Sequence, residues 1–326
     1  MTRYQLWLAA LALPTALGAV EGAATPEGVL QAVGELGDIS GLVRLIAPDE
    51  RASFTVTAVF GIRGALDRRA EAREAEGVTA EEQAARRSLE ERFATILDRY
   101  ELASLARDLP AAQAAIDFAV VDHATLIGEL TALQASLFGE DPWPQFREDM
   151  SGEVRDVVVE EERATVSVGR EPLELVRVDG RWFWSPRLES VEHIIQNEAR
   201  LRTLARIRNL GTAIMSWWVD HAIHLSLGTG EPATLSNYEP RGRQDLEERL
   251  VPRYMAELPL LDGWGHPFDV YLMTEATRDA PFLVLIRSPG RDGVFQSDSY
   301  GPGVFDREDL DQDMVWADGE FVRRSR

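Results

Sequence analysis

The hydrophobic period of this chain switches between helical and strand spacing, and each switch limits what can follow. Up to Leu137 apolar residues recur at helical spacing. From 152 to 185 they alternate, and from Leu188 to Ala222 the helical spacing returns. Beyond Leu258 come short apolar runs bounded by Gly and Pro. A 3.6-residue period makes an amphipathic helix and a period of two makes a half-buried strand. Helices and strands in separate blocks predict an α+β fold. The expected layout is helices then an antiparallel meander over 25–186, and a long helix with a small antiparallel sheet over 187–326.

The first block carries its own start signals. Thr25-Pro26-Glu27 reads as an N-cap with Pro in the first turn. Asp38-Ile39-Ser40 opens a second short helix that stops near Pro48. Residues 51–138 read as wholly helical. Gly77 breaks a charged run, and Thr79 with Glu82 makes a capping box. The helix that follows, with Leu89, Phe93, Ile96, Leu97 and Tyr100 on one face, is expected to end at Pro110. Another should run from Ile116 to Leu137, closed by Gly139 and the Asp-Pro-Trp-Pro at 141–144.

Four strand candidates follow, with Asp179-Gly180 as a hairpin turn between the last two. Trp182 and Trp184 share one face of their strand. The meander ending Val178-Asp179-Gly180-Arg181-Trp182-Phe183-Trp184 resembles the sheets of small exported domains of the nuclear-transport-factor-2-like kind. That resemblance covers roughly 26–186 and implies a cone-shaped α+β domain but no particular activity. The Trp pair is read either as sheet core or as the lining of a small-ligand pocket.

Composition bears on compartment and partners. The net charge is -21, there is no Cys, and every strong positive charge is Arg. Such an acidic chain is repelled by nucleic acid and anionic lipid. Arg3, the apolar run Leu6 to Ala19, and small residues at Ala16, Gly18, Gly22, Ala23 and Ala24 have the layout of an export signal over 1–24. Cleavage near Gly18–Ala19 and cleavage at Ala24 both fit. The expectation is a periplasmic or otherwise exported protein, with no membrane insertion after the signal is removed.

The segment from Leu258 to Trp316 holds the densest chemistry. Asp292, Asp298, Asp306, Asp309, Asp311 and Asp313 crowd a Gly-rich loop, and Gly-Val-Phe occurs twice, at 293–295 and 303–305. A hard dication takes six to eight oxygens, mostly carboxylate and carbonyl. Acids this close repel one another unless a cation sits among them. On the residues alone, a cation site and a merely solvated acidic turn both stand.

Order and spacing add a resemblance. A long helix is followed by Leu258-Pro259, Asp262-Gly263-Trp264-Gly265-His266-Pro267-Phe268, Ser288-Pro289-Gly290-Arg291-Asp292-Gly293 and Asp313-Met314-Val315-Trp316. Over roughly 190–320 this resembles the globular head of the major pseudopilins of type II secretion systems. The resemblance implies one calcium ion in the acidic loop. Asp292 matches the family's first ligand, and Asp298, Asp309, Asp311 and Asp313 are candidates for the rest. Two departures stand out. Gly263 replaces the family's Pro, a change that looks small, and the prepilin leader and membrane helix are absent. The head therefore looks mounted on a different carrier, and a filament subunit is not expected.

Other constellations are weaker. His221 and His224 beside Asp220 share a helix face, and Asp122-His123 offers two members of a hydrolase triad with no nucleophile elbow. Arg200, Arg202, Arg206 and Arg208 form the most basic cluster, read as a solvated face or as a docking face for an acidic partner. The expectation is a non-enzymatic structural or interaction protein with a calcium-stabilised head, bound to a protein partner in the cell envelope and accessory to a type II secretion or pilus-like system. The alternative is a small-ligand binding module built on the first domain.

Overall fold

The structure is a computed structural model and describes residues 22–36, 39–74, 79–118, 121–139, 154–168, 171–221, 233–235, 238, 240–272 and 283–326. The chain is α+β and divides into two compact units, Met1–Ile195 and Gln196–Arg326. The expected features at Gly77, at 141–144, at His224 and at Phe282 lie outside the described residues.

In the first unit the marked caps are where helices begin. Thr25 Oγ1 accepts from Gly28 N at 3.1 Å and starts α1 (Pro26–Glu35). After α2 (Ile39–Leu45), a single 3-10 turn leads into α3 (Arg51–Glu74). The capping box forms at α4 (Ala80–Arg99): Thr79 Oγ1 accepts from Glu82 N, and the Glu82 carboxylate accepts from Thr79 N. Two expectations fail here. The helix does not run on to Pro110. It stops at Arg99, Glu101 turns the chain with φ 59°, and short helices α5 (Ala103–Arg107) and α6 (Leu109–Ala115) follow. Pro110 lies in the first turn of α6, where a missing N–H costs nothing, and Asp108 caps it by accepting from Ala111 N at 3.1 Å. Likewise α7 (His123–Phe138) begins after Ile116, at a cap made by Asp122 with Thr125 N, and ends at Gly139 with φ 75°. Asp residues that cap outrank the apolar period as start signals.

The meander is as expected: β1 (Val154–Glu160), β2 (Arg163–Val168), β3 (Glu171–Val178) and β4 (Arg181–Trp184), antiparallel and in chain order. Asp179 and Gly180, at φ 50° and 78°, form the tight hairpin turn. Trp182, Phe183 and Trp184 are all buried.

The second unit holds most of a long helix, α8 (Val191–His221). A short strand β5 (Ala233–Thr234) and α9 (Arg243–Leu250) precede the sheet strands β6 (Asp269–Leu272) and β7 (Val284–Ser288). Then come β8 (Ser299–Tyr300), β9 (Gly303–Phe305), β10 (Met314–Ala317) and β11 (Glu320–Ser325). The main sheet has the order β6-β7-β10-β11-β9, and β5 pairs with β8 apart from it. β9 lies parallel to β11, where an antiparallel sheet was expected. The β10–β11 hairpin brings the last strand up beside β9 in the same direction. β7 and β10 are buried at every residue. Trp316 on β10 packs on Gly211 of α8, where a Cβ would stand 2.5 Å from its ring. Leu235, Tyr238, Tyr271, Leu285, Tyr300 and Val315 form one apolar cluster of this unit.

One partly buried ring should make the first unit sensitive to acid. His123 Nδ1 meets Thr55 Oγ1 at 2.8 Å, and Nε2 donates to Phe118 O at 3.0 Å. Burial pushes the imidazole pKa down and nearby Arg51 adds to this, against the Phe118 carbonyl and Asp122. The folded state therefore favours neutral His. Its contribution is present above the unfolded value of about 6.5 and is lost as pH falls through the folded value. The urea midpoint of the full chain should fall from about pH 7 to pH 5, and His123→Gln should flatten that slope. An unaltered slope in the variant contradicts this.

Candidate functional site

The Asp262–His266 turn is built on one buried carboxylate. Asp262 Oδ1 accepts from Trp264 N and His266 N, each at 2.9 Å, and Oδ2 accepts from Ser288 Oγ at 2.7 Å. Burial pushes its pKa up, and these hydrogen bonds oppose the rise. The turn lies against α8. Gly263 N donates to Thr203 Oγ1 at 2.8 Å, Trp264 Nε1 donates to Gln196 Oε1 at 2.7 Å, and Arg206 Nη1 donates to the carbonyls of Leu261 and Asp262. A Cβ on residue 263 would stand 1.9 Å from Ala199 O. Gly263 is therefore not a small departure from a Pro. A Pro here would lack the donating N–H and collide with the helix backbone.

Next to this turn, the acidic loop closes round a cation of its own. Arg287 follows three apolar residues, Val284, Leu285 and Ile286, on β7 and is buried. Its Nε and Nη2 donate to Asp269 Oδ2 at 3.0 and 2.8 Å. Its Nη1 donates to Ser297 O at 3.0 Å and Tyr300 Oη at 3.1 Å, and its guanidinium lies 3.7 Å from the centre of the Phe295 ring. Tyr300 in turn donates to Asp313 Oδ2 at 2.5 Å, an oxygen that also accepts from Gln296 N at 2.9 Å. Burial, and then the Asp313 carboxylate, push the Tyr300 hydroxyl pKa up, and burial raises that of Asp313. A buried charge needs a partner, so an Arg ending an apolar strand run was a readable signal of this network.

The five predicted ligands take different places. Asp313 is 1% exposed, and its Oδ1 is buried with no hydrogen-bond partner. Asp311 pairs through both oxygens with Arg291 at 2.8 and 2.9 Å, which holds its pKa down. Asp292 Oδ1 accepts from Val294 N within its own turn. The Asp298 side chain is 89% exposed, 3.8 Å from Arg287 Nη1. Asp309 N donates to Asp306 O in an exposed turn. Among the described residues no three carboxylates or imidazoles converge as metal ligands do.

The repeated Gly-Val-Phe has a repeated geometry. Phe295 faces Arg287 and Phe305 faces Arg323, while Val294 and Val304 are 61% and 59% exposed.

The remaining candidates have structural partners. Asp122 caps α7, and both nitrogens of His123 are engaged, with Thr55 and with the Phe118 carbonyl. His221 Nδ1 donates to Trp217 O, and Asp220 accepts from Arg253 and Tyr254. Arg200 donates to Ser325 Oγ and Arg326 O, and Arg208 lies over Phe321. The Trp182 and Trp184 side chains are core. Ser288, His266 and Asp262 are the residue types of a triad in the wrong order of contacts: Ser288 is fully buried and donates to Asp262, while His266 Nδ1 donates to Gly290 O.

Compared with family models, with curated proteins and with solved structures, the chain has no match. Gly263→Ala should lower the stability of the folded chain by about 2 kcal/mol or more, because the turn must leave the helix to admit a methyl group. A melting temperature equal to that of the parent contradicts this docking of the turn on α8.

Proposed function

We propose that the chain is an exported, non-enzymatic structural and interaction protein whose C-terminal unit is a pseudopilin-like head with a calcium-binding acidic loop. The observation that carries this reading is the Asp313 carboxylate. One of its oxygens is buried without a hydrogen-bond partner, in the loop that also bears Asp292, Asp298, Asp309 and Asp311. A buried acceptor left unpaired is costly, and a hard cation is one of the groups that would satisfy it. The residues fit such an ion in part. Asp313 offers an oxygen directly, whereas Asp311 would exchange Arg291 for the metal and Asp298 would turn inward from solvent. Calcium, when bound, supplies two positive charges that Arg287 and Arg291 do not. A protein partner in the cell envelope would meet the loop's outer surface, where Val294 and Val304 stand exposed in a strongly acidic segment; a basic partner segment suits that charge.

Melting of the full chain should shift upward by several degrees with millimolar calcium and return with chelator, magnesium having the smaller effect. Asp311→Ala should cost at most about 1 kcal/mol in chelator, because its ion pair with Arg291 is half-exposed. The same variant should lose most of the calcium response. No shift in the parent protein sinks the calcium assignment.

A further inference from the structure

Two residues within the expected export signal are part of the folded first unit. Ala23 N donates to Trp182 O at 2.9 Å, and Trp182 N donates to Ala23 O at 2.7 Å. This reciprocal antiparallel pair continues the meander past β4. Gly22 is buried and adopts φ +64°, and a Cβ there would stand 2.8 Å from Cζ of the Phe183 ring. The absence of a side chain lets the backbone close over Phe183. Thr25, two residues after Ala23, caps α1.

We infer that leader removal leaves Gly22 and Ala23 in the mature protein, with the Gly18–Ala19 bond as the processed one. This rests on the exported reading proposed above. The sequence offers two small-residue pairs of the spacing a leader peptidase takes, Ala16 with Gly18 and Gly22 with Ala24. A cut after Ala24 removes both hydrogen bonds to Trp182 and uncovers Phe183. It also places a new α-ammonium on Thr25, at the positive end of the α1 dipole. A cut after Gly18 does none of these. The step is peptide hydrolysis: water adds at the Gly18 carbonyl, the C–N bond breaks, and the Ala19 nitrogen leaves as an amine.

The test is expression of the full chain in an exporting bacterial host, with intact mass and N-terminal sequencing of the product. A start at Ala19 supports the inference. A start anywhere from Val20 to Thr25 overturns it while leaving the export reading intact, and a chain that keeps Met1 overturns both. A second measurement compares chains made to begin at Ala19 and at Thr25. The Thr25 form should unfold at lower urea concentration, and equal midpoints would contradict a structural role for Gly22-Ala23.

Discussion

A guanidinium buried among acids is the constraint on which the C-terminal unit depends. Arg287 is next to last in a strand whose every residue is buried, so its charge cannot reach bulk water. Asp269 neutralises it from β6, and Ser297, Tyr300 and Phe295 of the loop close over it. The loop is thus ordered by what Arg287 requires. Tyr300 then passes the contact on to Asp313, just before β10, and ties the middle of the acidic segment to its C-terminal end. Removing Asp269 would leave the buried guanidinium without its nearest counter-charge, which is more costly than losing an exposed ion pair.

Glycines set the second constraint, because close approach of backbone to helix is possible at few positions. Gly263 brings the turn at 262–266 onto Ala199 and Thr203 of α8, and Gly211 makes room for Trp316 on the same helix. Sheet and turn are thereby both registered on one helix within this unit. The arginines of α8 belong to the same arrangement. Arg206 holds the carbonyls of the turn and Arg200 holds the end of β11, so a cluster that looked like a charged surface works largely inward.

Local rules were legible in the residues, and long-range charge pairing was not. Period, caps and the Asp179-Gly180 turn identified the helices, the meander and the α+β class, because each is decided by residues a few positions apart. Pro110 was read as a stop because a Pro inside a helix breaks it. Asp108 beside it turns the same residue into a start. The acidic loop was recognised as a place where charge must be balanced. Its internal balancing cations, Arg287 and Arg291, come from the strand before it and from the turn that opens it. Which carboxylate pairs with which cation depends on the fold rather than on spacing. Asp269 and Tyr300 were missed for that reason.

The most direct measurement is amide hydrogen exchange over residues 291–325 in the parent protein and in Arg287→Met. If the buried guanidinium holds the loop, protection at Gln296 and its neighbours should collapse in the variant while the amides paired between β10 and β11 stay protected. Equal protection of the loop in both proteins would mean that something other than Arg287 orders it, and would contradict the central role of the buried guanidinium.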